Sequence, residues 1–443
     1  MKQFNFTHIF SAAILAGLFM TTNASAQQKE YTDGVFMLNE GSFGNERATV
    51  NFLDHNGSWD YRLPITMNGE TIQLGTTGCY ATICGENMYI VSKKMATNKP
   101  DDSDPTLVVC DAKTMEGKAV INSIKTADGV AADGRAFLPV AELKKGYLST
   151  TNGVYVISLE NYEVLSHIEG TDGLTNNQTG NMLYRNGKVY AVDKKRGLLV
   201  INAESDKLVN TINNEGEKGT YCSIVEAKDG SIWLTAGTPA GDTADHLVKF
   251  DPESETTENI TLPEGTKQPT NNWGAWNPDC FTASTTENAL FWNGATGAWT
   301  NGQHIYKFDV DSHETTLLLD FTTAEAPQPY VYGAACRVNP ETGDLYLSIT
   351  KGSAWGDESE LRVYSTTDAT MKASYPMEKH YWFPEMPVFS LKSSATAITS
   401  TQTTANRYEV ARYTVDGRLI NQPQQGLNIV KYSDGTVKKV VVK

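Results

Sequence analysis

The side chains most able to act on a ligand in this 443-residue chain are aromatic rings and amides. The usual catalytic groups are sparse in pattern. The seven histidines (8, 55, 167, 246, 304, 313 and 380) are scattered, with no H-E-x-x-H, no G-x-S-x-G and no His/Asp spacing that suits a metal. The chain therefore reads as not an enzyme, with no cofactor and no metal. Asp101-Asp-Ser-Asp104 offers several oxygens to a calcium ion, but it reads as a solvated acidic loop. The tryptophans stand out. Five of the eight (Trp273, Trp276, Trp299, Trp355 and Trp382) fall in segments between predicted strands. Phe43 and Tyr332 fall in equivalent segments, and Asn45 and Asn177 lie among them. Large apolar side chains on loops need a reason, because loops are normally solvated. The expectation is an aromatic-walled pocket for a large flat or ring-shaped ligand, a macrocycle or a glycan, oriented by the amides. The competing reading has these rings plugging a channel mouth or packing loop on loop.

The elements that must position them come from a repeat. Six times a short apolar strand is followed by a Gly/Asn/Asp turn, a second strand, a variable loop, and a third and fourth strand. The clearest copy runs from Gly180 to Ile212. A unit of roughly 40 to 60 residues with four strands is the signature of a propeller blade. Gly34-Val-Phe-Met-Leu-Asn39 opens a further unit with only three strands. Tyr381 to Phe389 supplies a fourth, and a ring closed this way leaves no open sheet edge. The fold class expected is all-β: a seven-bladed β-propeller over 31–390, closed by N- and C-terminal strands, plus a small C-terminal β module. Residues 391–406 are Ser/Thr-rich and read as a linker. Residues 407–443 read as the β module, with turns at Asp416-Gly417 and Asp434-Gly435.

Composition narrows the partners. A net charge of −15 repels a phosphate backbone, so nucleic acid is not an expected partner. Lys93-Lys94 and Lys194-Lys195-Arg196 read as solvated loop charges. Residues 1–26 read as a signal peptide: Lys2, an apolar run from Ile9 to Met20, and the cleavage site Ala24-Ser25-Ala26. That run is too short to span a bilayer, so an exported chain without a membrane span is expected. The cysteines at 79, 84, 110, 222, 280 and 336 read as small buried thiols, with Cys84 and Cys110 the one pair placed to bond.

Two resemblances add to this. Tyr413-Thr-Val-Asp-Gly-Arg418, Gly426-Leu-Asn-Ile-Val430 and Lys438-Lys-Val-Val-Val-Lys443 resemble the C-terminal sorting domain of type IX secretion cargo. That resemblance implies passage across the outer membrane and a cell-surface or extracellular location. Gly34-Val-Phe-Met-Leu-Asn-Glu-Gly-Ser-Phe-Gly-Asn45 resembles YncE-like, YVTN-type propellers, with similarity over roughly residues 31 to 390. That family includes bacterial surface proteins that bind corrinoids (vitamin B12) and pass them to an outer-membrane transporter. The resemblance implies an exported propeller capturing a corrinoid-like ligand, with a transporter or surface protein as partner. An adhesion propeller binding a surface protein or glycan is the alternative, and a propeller hydrolase or lyase a further one. Those corrinoid binders are typically lipoproteins. No cysteine follows the cleavage site here, and the sorting module stands in the anchor's place.

Overall fold

The computed structural model describes residues 29–41, 46–93, 104–122, 124–125, 129, 131–174, 177–213, 220–237, 245–267, 281–295, 301–324, 326–352, 356–390, 409–420, 422–432 and 437–442. The described chain is all-β, and its only helical elements are two single 3-10 turns, Ala141–Leu143 and Phe321–Thr323. Its sheets are antiparallel and mostly four-stranded, the economical product of short apolar strands separated by tight Gly, Asn and Asp turns.

Four consecutive stretches each fold into a sheet whose strands lie in chain order. These sheets begin with Gly78–Cys84, Gly134–Val140, Thr179–Arg185 and Thr220–Glu226. Two further four-strand units begin with Phe281–Ala283 and Pro329–Val338. They are joined into one eight-stranded sheet where Gly302 pairs with Val331. The remaining sheet is composite. Gly34–Asn39, Thr49–Asp54 and Trp59–Asp60 come from the start of the chain, and Pro384–Phe389 pairs antiparallel with Gly34–Asn39. For brevity the composite sheet is called the first unit, and the others the second to seventh in chain order. The structure adds two hairpins that the repeat pattern does not contain, Ile65–Met67 with Glu70–Ile72 and Ile124–Lys125 with Ala131–Ala132.

The core lies between sheets. Tyr190, Val192 and Val200 of the fourth unit pack on Ile224, Leu234 and Phe250 of the fifth. Similar apolar clusters fill every step from the first unit to the seventh. Val35, Met37 and Leu53 of the first unit pack on Leu361 and Met377 of the seventh. Both faces of a middle strand are thus covered, which is why its hydrophobic alternation is blurred in the sequence. Gly153–Ser158 and Ser359–Tyr364 are buried at every residue. Fourth strands face water, as Thr256–Thr261 and Val164–His167 do.

Several side chains differ from their sequence reading. Asp104 is only 1% exposed and pairs with Arg47, so it is not a solvated acid; Asp101 to Ser103 lie outside the described residues. Arg196 is half-buried: it pairs with the buried carboxylate of Asp193 and donates to the carbonyls of Thr171 and Asp172. Burial of the charge partner draws the cation in, so this end of the basic run is not a solvated charge. Cys79, Cys84 and Cys110 are free thiols, Cys222 and Cys336 are buried, and burial pushes Cys79 and Cys110 up to about 12. Cys280 lies outside the described residues. The C-terminal module is a four-stranded sheet, ordered Leu419–Ile420, Glu409–Thr414, Gly426–Tyr432, Val437–Val442.

Candidate functional site

One end of the sheets carries a repeated irregularity. The residue after the second strand donates its N–H to the carbonyl of the residue before the first strand. Glu40 bonds Phe383 in this way at 2.8 Å, Lys93 bonds Thr77 at 2.9 Å, and Thr151 bonds Asp133 at 3.0 Å. Lys194 to Gln178 and Gly352 to Gln328 repeat it, both at 3.0 Å. Just inside this bond the first strand slips register. The slip falls between Gly78 and Tyr80, Gly134 and Ala136, Thr179 and Met182, Tyr221 and Ile224, and Val331 and Cys336. In the first unit it falls at Glu385, between Pro384, which stands opposite Asn39, and Met386, opposite Leu38. A β-bulge re-aims the extra side chain, and bulges recur beside functional sites.

The bulged residues reach sideways to the next sheet. Cys79 Sγ donates to the carbonyls of Gly134 and Arg135, at 3.6 and 3.5 Å. Arg135 Nε donates to Gln178 Oε1 at 2.7 Å. Asn181 exchanges two bonds with the backbone of Ile224, both 3.0 Å. Glu385 Oε1 accepts the N–H of Ala334 at 3.3 Å. Gly333 makes this last approach possible. Its φ is +53°, and a Cβ there would lie 1.8 Å from Glu385 Oε2. Only glycine tolerates that backbone at no steric cost.

Beside this collar sits an aromatic and acidic pair. Tyr332 donates its hydroxyl to Glu40 Oε2, and its ring meets that of Phe383 at 5.7 Å between centroids. Glu40 is 4% exposed. Burial pushes its carboxyl up to about 7, against the opposing pull of the Tyr332 hydroxyl and the Lys93 charge. Arg135 is equally buried, and desolvation holds its guanidinium below the usual range, against the attraction of Asp133 and Cys79. Lys194 is also held below its usual range, by burial first and then by Lys195 and Arg135. This patch can donate or accept hydrogen bonds, and Glu40 can give or take a proton near neutrality. Among the described residues no three His, Cys, Asp or Glu side chains are grouped to hold a metal.

Of the side chains proposed from sequence, Tyr332 forms this patch. Asn177 lies at the same end and shapes the turn beside it. Its amide donates to Asp193 Oδ2 at 2.8 Å, and its Oδ1 accepts the N–H of Lys195 at 3.1 Å. Trp382 turns away. It is 1% exposed, stacks on Tyr61 at 5.2 Å, and lies under the Arg62 guanidinium at 4.4 Å. Its Nε1 donates to the carbonyl of Glu378 at 2.9 Å. Phe383 has a left-handed backbone, φ +47°, which turns the chain here, so Trp382 fills the seam between the seventh and first units while Phe383 faces Tyr332. Phe43, Asn45, Trp273, Trp276, Trp299 and Trp355 lie outside the described residues. Sequence reasoning missed Glu40, Arg135, Phe383 and Glu385. The available signal was their place: Cys79, Arg135 and Glu385 each stand two residues after the residue that bonds across the strand start.

A family model described as "Domain of unknown function (DUF5074)" matches residues 33–390. No curated protein matches the chain. Among solved structures, a puromycin hydrolase mutant complexed with PGG is similar at 11% identity and a TM-score of 0.50, covering 92% of this chain. The chain spans 58% of that enzyme's length. The dihydro-heme d1 dehydrogenase NirN in complex with DHE is similar at 11% identity and a TM-score of 0.45, covering 79% of this chain and 76% of its own. The computationally designed protein Ika8 is similar at 10% identity and a TM-score of 0.44, covering 93% and 98%. The four-stranded antiparallel units and the likeness to puromycin hydrolase give a β-propeller-like fold. They also correct the expectation of a chain that is not an enzyme. A structural neighbour is a hydrolase, so this fold gives no ground for excluding catalysis.

Proposed function

The chain belongs to the DUF5074 family, and within it we propose an exported β-propeller that captures a large ring-bearing ligand on its bulged end. The seven four-strand units form seven blades, with the composite unit closing the ring. The apolar cluster at every step between units, and between the seventh and the first, supports this arrangement. The observation that carries the binding reading is the recurrence of the bulge at one end of the inner strands, around the buried Glu40–Tyr332 pair. A scaffold alone has no use for an acid whose burial drives its carboxyl up to about 7.

The ligand class proposed is a corrinoid. The resemblance of the Gly34–Asn45 stretch to corrinoid-binding surface propellers supports it. The patch fits such a ligand chemically. Tyr332 and Phe383 offer apolar ring surface, and Glu40 and Arg135 offer an acceptor and a donor to the amides on a corrin rim. Phe43, Trp273, Trp276, Trp299 and Trp355 belong to connections whose flanking strands end on this side, and they are proposed as its walls. The signal-peptide pattern of residues 1–26 and the sorting-domain resemblance of residues 407–443 support a cell-surface location, where an outer-membrane transporter is the proposed recipient.

Titration of the chain from residue 27 with cyanocobalamin, followed by tryptophan emission, tests this reading. Saturable quenching at micromolar ligand is expected. Emission unchanged beyond the inner-filter effect removes the corrinoid from the proposal.

A further inference from the structure

A second cleft lies apart from the Glu40–Tyr332 patch, between the hairpin Ile65–Met67 with Glu70–Ile72 and the second unit. Its volume is about 220 Å³, and Arg47, Ile72, Gln73, Asp104, Val120 and Asn122 line it. Its wall is built around one buried acid. Asp104 is 1% exposed, and its Oδ1 pairs with the half-buried Arg47 guanidinium. The same guanidinium nitrogen also donates to the carbonyl of Leu74 at 3.1 Å, which fixes its position. Asp104 Oδ2 is buried with no hydrogen-bond partner. A buried carboxylate oxygen without a donor is costly and points to a group the structure does not contain.

The surroundings define that group. Arg47 already balances the carboxylate charge, so a second cation would be repelled. A neutral donor is favoured. Ile72 and Val120 present apolar surface able to cover the C–H face of a small ring. Gln73 and Asn122 are exposed at the rim and offer amide donors and acceptors. We infer that this cleft binds a neutral polyol of monosaccharide size. One hydroxyl donates to Asp104 Oδ2, and others accept from Arg47 and exchange hydrogen bonds with Gln73 and Asn122. The size of the cleft limits the guest to about one sugar ring, so a corrinoid is not its ligand.

The test is saturation-transfer NMR and calorimetry on the chain from residue 27 with D-glucose, D-galactose, D-mannose and calcium chloride. Saturable binding of at least one hexose at roughly millimolar affinity is expected. Asp104→Asn weakens it about tenfold or more, as loss of a hydrogen bond to a charged group does. The double variant Gln73→Ala/Asn122→Ala changes only exposed side chains and weakens it too, which covers the case in which Asp104→Asn fails to fold. Glu40→Gln leaves hexose binding unchanged, and the cleft variants leave cobalamin quenching unchanged, so the two sites stand or fall separately. No saturable hexose binding up to about 100 mM, some hundredfold above that affinity, overturns the proposal. So does hexose binding that ignores the cleft variants, or calcium binding that needs Asp104 while no hexose binds.

Discussion

At the scale of residues, the most consequential side chain is Glu40. Its carboxyl titrates near 7 in the folded chain against 4.5 when exposed. A raised carboxylate pKa means that the folded state holds the proton more tightly. The group therefore costs nothing below about pH 4.5, and the folded state loses stability as pH rises from there towards 7. The whole loss is roughly 3 kcal/mol. Glu40→Gln removes the ionisation and keeps an acceptor for Tyr332. Urea unfolding at pH 5 and pH 8 is expected to show wild type losing most of that amount, about 2.5 kcal/mol, and the variant staying flat; parallel behaviour would contradict the assignment. Gly333 gives a second check. Gly333→Ala sets a Cβ against Glu385 and is expected to cost about 3 kcal/mol or more. Gly85→Ala, at φ +59° with no atom within 4 Å of the added carbon, is the control and should cost about 1 kcal/mol. Equal costs would mean that the contact with Glu385 is not the cause. Tyr332 was singled out in the sequence as an aromatic in a connecting segment, but it lies inside the strand Pro329–Val338, at its register slip. Asp104 was not legible, because a run of acids reads as solvated until its Arg47 partner, distant in sequence, is placed beside it.

At the scale of elements, the repeat was legible because its signals are local. Each turn carries Gly, Asn or Asp, and each third strand carries an apolar run such as Leu107-Val-Val-Cys-Asp111. The missing strand was legible by counting: Pro384–Phe389 pairs with Gly34–Asn39. The bulges were not legible. A register slip is a relation between two strands, and Gly134-Arg-Ala136 looks like any strand start until it is laid against Ser149 and Thr150. The two short hairpins escaped for a related reason, since strands of two or three residues carry too little pattern to detect. The closing strand also makes a testable claim. A chain ending at residue 392 keeps Ser390, whose hydroxyl accepts the N–H of Gly34, and is expected to unfold as cooperatively as the full chain. A chain ending at residue 383 leaves Gly34–Asn39 as an open edge with Phe36 and Leu38 uncovered, and is expected to lose its sharp thermal transition. A sharp transition in the shorter chain, followed by circular dichroism, would show that the strand is dispensable.

At the scale of the whole molecule, apolar contact holds the sheets together. Arg185 pairs with Glu226 at the far end of two inner strands, and the bulged end carries a longer set of polar ties. Cys79, Arg135, Asn181 and Glu385 each bind a neighbouring sheet there. Such ties leave a buried, hydrogen-bonded collar where these inner strands begin, and Glu40 and Tyr332 sit beside it. The face expected from the tryptophans rests on Trp273, Trp276, Trp299 and Trp355, which lie outside the described residues, and Trp382 itself packs into a seam. The collar was not legible, because its members are Cys, Arg, Asn and Glu and share no residue type that a repeat search would pick out. The measurement that bears most directly on the account is cyanocobalamin affinity for wild type and Glu40→Gln, compared at pH 6 and pH 8. Wild-type affinity is expected to change between the two values as Glu40 ionises, while the variant's affinity does not. Identical affinities for both proteins at both values would contradict the placement of the ligand at this collar.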